Sequence, residues 1–219
     1  MRKAAEELRR QRTLVIIKPD AVRRGLVGEF LKRFEQTGLK IIALKLLIPT
    51  RSQLKKHFPT SKEWVDGMGQ KTSEFFQKHG LDPIDAFGTA DTHKIGLKIR
   101  TWNYSHLLLG PIAIVVLEGV HAIAIVRKMI GSTIPYYALP GTIRGDFSIN
   151  SPDLACYLKC ACQNLIHAAD SKETAEREIS CWFKPEELVS WERPDECLLF
   201  LSAEKPRKTA DGKKKRRKR

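Results

Sequence analysis

Histidine 167 stands in Asn164-Leu165-Ile166-His167-Ala168-Ala169-Asp170, where an apolar pair leads into an imidazole and then a carboxylate. A neutral imidazole nitrogen can hold a phosphoryl group for a short time. Its ordinary pKa of about 6.5 leaves much of it uncharged at pH 7. Transfer of such a group is mostly positioning and charge stabilisation, so cations must meet the anionic substrate. Lys18, Arg127 and Arg144 stand at three turns or helix edges that can converge. An Arg fork suits phosphate oxygens, and Lys acts as a point charge. A carboxylate, Glu178, lies beside Ile179 on the same helical stretch. Taken alone, a histidine after an apolar pair is more often a packed core residue.

The elements that must position these groups follow from hydrophobic periodicity. Thr13–Ile17 is a continuous apolar run, as in a strand covered on both faces, and Pro19 stops it. Leu26, Val27, Phe30, Leu31 and Phe34 form a helical stripe, with Gly38 as its C-terminal cap. Ile41–Ile48 reads as a second strand, followed by helices near 51–57 and 61–79. Residues 112–117 read as a strand and 121–130 as a helix capped by Gly131, with a long loop from Ser132 to Ile149. Asn164–His167 is a fourth strand, and Ser171 caps a helix carrying Ala175, Ile179 and Trp182 on one face. The order β-α-β-(α)-β-α-β-α implies an α/β (α+β) sandwich: a ferredoxin-like, antiparallel four-stranded sheet with helices packed on it.

Four strings then become specific in series: Lys18-Pro19-Asp20; Pro140-Gly141-Thr142-Ile143-Arg144-Gly145-Asp146-Phe147; the string around His167; and Trp182-Phe183-Lys184-Pro185-Glu186-Glu187-Leu188. In this order they resemble the nucleoside diphosphate kinase family. The resemblance covers about 12–58, 110–149 and 164–190, roughly half the chain. It implies transfer of the terminal phosphate of a nucleoside triphosphate to a nucleoside diphosphate through a phosphohistidine, with ping-pong kinetics. His167 matches the phosphorylated histidine, and Glu178 the carboxylate that orients its ring. Lys18, Arg127, Thr133 and Arg144 match phosphate contacts, and Asn164 with Lys18 matches ribose contacts. Trp64 matches the aromatic that stacks on the base, flanked by Met68 four residues on; Trp64 serves equally well as core filler. The resemblance implies Mg²⁺ held mainly by the nucleotide phosphates, with Asp170 reaching it through water. It also implies a homo-oligomer, commonly a hexamer.

The chain departs from the family at two positions. Ala169 replaces a serine, and Phe58 stands where a tyrosine is usual. Each lost hydroxyl removes a hydrogen bond worth about 0.5–1.5 kcal/mol, at most about tenfold in rate. The alternative is therefore a weakly active or inactive relative that serves as a nucleic-acid- or membrane-binding module. Segments 65–106 and 150–163 read as insertions into a domain spanning 1–204. Cys156, Cys160 and Cys162 lack the second pair that zinc requires and read as helix-packing thiols. His57, His79, His93, His106 and His121 are unclustered along the chain. Gly25 and Gly28 do not form a Rossmann or P-loop motif.

The 219 residues carry a formal net charge of +14, of which residues 205–219, KPRKTADGKKKRRKR, hold +9. Such a block repels itself and reads as a disordered tail for nucleic acid or an anionic surface, or merely as a solubilising one. The hydrophobic fraction of 42% suits a globular core, not disorder. Five cysteines, an odd number, fit reduced thiols rather than a disulfide scaffold. The amino-terminal stretch has no secretory h-region. Residues 107–126 are divided by Gly110-Pro111, Glu118-Gly119 and His121, so no transmembrane segment is expected. These features point to the cytoplasm, with nuclear entry added if the tail acts in a eukaryotic cell.

Overall fold

In the computed structural model, residues 8–199 are described; the basic tail lies outside them. The sheet contains β1 (Gln11–Ile17), β2 (Lys40–Leu47), β3 (Ile112–Gly119) and β4 (Ile166–Ala168), ordered β2-β3-β1-β4 with every pairing antiparallel. Helices α1 (Pro19–Arg23) and α2 (Val27–Gln36) join β1 to β2. Next come α3 (Arg51–His57), α4 (Lys62–Lys78), α5 (Pro83–Phe87) and α6 (Thr92–Leu107). After β3 run α7 (Ala122–Ile130), α8 (Ile143–Phe147) and α9 (Pro152–Tyr157); after β4 runs α10 (Lys172–Trp182). The antiparallel sandwich is the fold that periodicity implies.

Strand periodicity sorts the core into two layers. Val15, Ile17, Val115 and Leu117 face Phe30, Phe34, Val126 and Ile130. Leu14, Ile16, Ile114 and Val116 face Leu54, Leu107, Ile179 and Trp182. β1 and β3 are buried along nearly their whole length, which is why they read as unbroken apolar runs. Ala168 and Ile166 belong to the first layer, so His167 between them falls on the second, under α3 and α10.

The caps follow the residue chemistry. Thr50 and Gln53 form a reciprocal capping box on α3, and Ser171 accepts from the Thr174 N–H at the start of α10. Gly38 follows the last turn of α2 at φ +87°, a conformation that favours glycine. The segment 132–149, expected as one long loop, contains a 3₁₀ turn at Pro135–Tyr137 and the helix α8, started by the Thr142 side chain. The fourth strand starts two residues later than expected and ends one later, because Asn164 and Leu165 form a turn rather than ladder positions.

Helices α4, α5, α6 and α9 share a separate small core of Phe76, Ala86, Phe87, Ile95 and Cys156. α4 and α6 approach backbone to backbone. A β-carbon at Gly69 would fall on the Thr92 carbonyl, and one at Gly96 on the Val65 carbonyl.

Candidate functional site

His167 is held by one carboxylate. Its Nε2 lies 3.0 Å and 2.9 Å from the two oxygens of Glu178 on α10. A carboxylate only accepts, so the ring proton sits on Nε2 and Nδ1 keeps its lone pair. Nδ1 has no hydrogen-bond partner among the described residues, and the His167 side chain is 34% exposed. Glu178 is buried, which raises its pKa, but the charge and hydrogen bond of His167, together with His57 and Arg177, outweigh this and hold it below the usual carboxylate range.

The turn before His167 is strained. Leu165, buried, has φ +70°, and the Ile166 N–H donates back to the Asn164 carbonyl at 2.8 Å. This conformation is pinned from outside. The Leu165 N–H donates to Asp20 at 3.0 Å, and its carbonyl accepts the Lys18 N–H at 2.8 Å. Asp20 in turn meets Nε2 of buried His106 at 3.2 Å. Burial raises the Asp20 pKa, but His106, Lys18 and the Leu165 N–H lower it by more.

Three of the predicted cations gather near this turn. Lys18 donates from Nζ to Asn164 Oδ1 at 2.6 Å, and Asn164 Nδ2 donates to the Thr133 carbonyl at 2.8 Å. Burial pushes the Lys18 pKa down to about 8; Asp20 opposes this and Arg144 adds to it. Arg144 is buried, and its pKa falls to about 10 through burial and then through neighbouring Arg127. Its guanidinium is largely occupied, donating to the carbonyls of Asn164, Gly131, Ser132 and Ile166 at 2.6–3.2 Å. In this arrangement Arg144 also braces the turn. Arg127 on α7 and Thr133 are exposed.

A run of rings leads outward. His57 meets His167 at 5.1 Å between centroids, Phe58 meets His57 at 4.9 Å, and Trp64 meets Phe58 at 6.3 Å. Trp64 is half-buried on α4 with Met68 four residues further on the same helix, so neither is core filler in the full sense. Tyr104 of α6 lies 5.2 Å from Phe58. Asp170 is exposed, just past β4. Ala169 is fully buried against Ile123 and Ala175, so its methyl is part of the packing.

Sequence reasoning missed His57 and His106. His57 is not isolated: it lies beside His167 and Glu178. Its signal was the second apolar layer, which brings α3 under β4. His106 signalled itself only as a polar residue beside Leu107 at the buried end of a largely polar helix.

Known proteins resemble this chain in sequence and fold. The sequence profile described as nucleoside diphosphate kinase matches residues 11–78 and 102–188. The nucleoside diphosphate kinase of Pyrobaculum aerophilum is 47% identical over 179 residues, which covers 82% of this chain and 98% of that protein. Its counterpart from Borreliella burgdorferi is 38% identical, covering 85% of this chain and 95% of that one. The solved structure of an NDP kinase from Pyrobaculum aerophilum superposes with a TM-score of 0.79 at 45% identity, covering 83% of this chain and 100% of that chain. A transition-state mimic of the Borrelia burgdorferi enzyme with bound vanadate and ADP superposes at 0.70 with 35% identity, covering 88% and 98%. This chain, with its imidazole clamped by a carboxylate on the second layer of an antiparallel sandwich, belongs to the nucleoside diphosphate kinase family of phosphotransferases.

Proposed function

We propose that this chain moves the terminal phosphate of a nucleoside triphosphate to a nucleoside diphosphate by way of His167. The observation that carries the reading is the two-oxygen clamp of Glu178 on Nε2, which leaves the Nδ1 lone pair free. Nδ1 attacks the terminal phosphorus, the bond to the bridging oxygen breaks, and the diphosphate leaves. The Nε2 proton stays on the ring, and the charge that develops there is balanced by Glu178. A second diphosphate then attacks the same phosphorus and the N–P bond breaks. Lys18, with Arg127, Thr133 and Arg144, meets the phosphates, and Asn164 with Lys18 meets the ribose. Trp64 and Met68 form the base platform, which accepts any base because every base has a stacking face.

Mg²⁺ enters with the nucleotide. It prefers oxygen ligands, and the one cluster of three metal-capable side chains among the described residues is two-thirds nitrogen. Phosphate oxygens and water therefore hold it, with Asp170 reaching it through water, and the ion neutralises phosphate charge.

The chain acts as a homo-oligomer, with a hexamer as the expected size. Support comes from Leu44 and Leu46 on one face of the edge strand β2, exposed at 51% and 68%, and from Ile48 just past its end, exposed at 68%. No helix among the described residues is long and apolar enough to cross a membrane. We place the chain in the cytoplasm, with the +9 tail contacting nucleic acid or an anionic surface non-specifically.

The test is direct. ATP radiolabelled on its γ-phosphate should leave an acid-labile, base-stable label on the wild type and none on His167→Ala. Equal labelling of both proteins would remove the proposed nucleophile.

A further inference from the structure

One cluster of side chains offers a second chemistry at the same address. His57, His167 and Glu178 place one ligand atom each within 4.8 Å of one another. Glu178 Oε2 is 2.9 Å from His167 Nε2, and Glu178 Oε1 is 3.9 Å from His57 Nδ1. Ligands around a tetrahedral zinc at about 2.0–2.2 Å sit a little over 3 Å apart, so small side-chain rotations close the set. Two imidazoles and one carboxylate with an open position is a ligand set for divalent transition metals, not for Mg²⁺.

One of the two ligand nitrogens already carries a lone pair. Trp182 Nε1–H lies 3.3 Å from His57 Nδ1, and an indole N–H only donates. His57 Nδ1 is therefore an acceptor, with its proton on Nε2. The long indole bond is the contact a metal would displace. Access runs past His167, the partly exposed member of the three. Among the described residues, Arg177, 3.5 Å from Glu178 Oε1, is the cation placed against the set.

We propose that His57, His167 and Glu178 bind a transition-metal cation such as Zn²⁺, and that this ion switches off phosphotransfer. A metal on His167 Nε2 takes the place of the proton donated to Glu178. That proton moves to Nδ1, so the ring stays neutral and no net proton is released. The atom that must attack phosphorus is then the one carrying hydrogen. The binding site stands by itself; its inhibitory effect rests on the phosphohistidine reading above.

The experiment separates the two. Metal-free full-length protein is titrated with Co²⁺, whose visible d–d bands report low coordination by nitrogen and oxygen. The wild type should develop them, and His57→Phe, which keeps the ring volume, should need at least tenfold more metal; Glu178→Gln provides a second variant with the same expectation. In parallel, γ-labelled ATP with excess Mg²⁺ is added at buffered free Zn²⁺. Labelling of the wild type should fall and return with EDTA, while labelling of His57→Phe persists at the same Zn²⁺. Absent bands, or bands unchanged in both variants, would overturn the site. Bands with undiminished labelling of the metal-saturated wild type would overturn the switch. If the metal-free enzyme takes no label at all, the phosphohistidine reading fails while the Co²⁺ titration still decides the site.

Discussion

The working parts at the residue scale are one lone pair and one buried ammonium. Glu178 was legible because a helix started by Ser171 carries it beside Ile179, which faces the core. Glu178→Gln can present an N–H where the clamp now accepts one, and this would invert the tautomer. We expect kcat to fall by about 10² or more with little change in fold, and Glu178→Asp to recover part of it, as single-turnover labelling would show. Lys18 gives a second prediction. Its pKa is lowered to about 8, so the phosphate-binding charge is present below pH 8 and lost above it. kcat/KM should decline above pH 8 by up to about tenfold per unit, while Lys18→Arg, which keeps its charge, should lack that descending limb. Arg144 is where residue type tells only part of the story. The spacing marks a cation near phosphate, but four backbone carbonyls occupy its guanidinium. No sequence motif reveals which carbonyls the fold leaves unpaired.

At the scale of elements, the sheet and its helices were readable from period alone, because β1 and β3 are buried on both sides and α2 is strongly amphipathic. What escaped were contacts between distant segments. The capped helix α8 inside the 132–149 stretch is only five residues, too short for a periodic signal. The His106–Asp20 contact joins the end of α6 to the start of α1, and nothing local announces it. We expect His106→Ala to lower kcat/KM by about 2–10-fold, the worth of one hydrogen bond, and His106→Asn to restore part of it. The α4–α6 crossing is a sharper case. Gly69 and Gly96 leave no room for a methyl between the two backbones. Gly96→Ala should destabilise the protein by about 1–3 kcal/mol through overpacking, seen as a lowered urea midpoint, and should move the Trp64 platform before it touches His167.

For the whole molecule, the apolar edge of β2 and the basic tail set how the chain meets other molecules. Half of that edge is already covered: the Val189 N–H donates to the Ile42 carbonyl and the Trp191 indole to the Ile41 carbonyl, whereas Leu44, Leu46 and Ile48 stay bare. Leu46→Asp should reduce the mass seen by light scattering if this face joins subunits. Cutting the chain after Glu204 should leave turnover intact and weaken nucleic-acid retention at low salt, and retention that ignores salt would exclude the tail as a polyanion contact. β4 has a consequence for how the enzyme fails. It is three residues long, lies at the sheet margin, and pairs only with β1, while β1 and β3 share seven pairs. The reactive imidazole thus rides on the least anchored ribbon of a sturdy slab. In rising urea the chain should fall silent as a catalyst while its far-ultraviolet dichroism is still native, an idle but intact body that recovers on dilution.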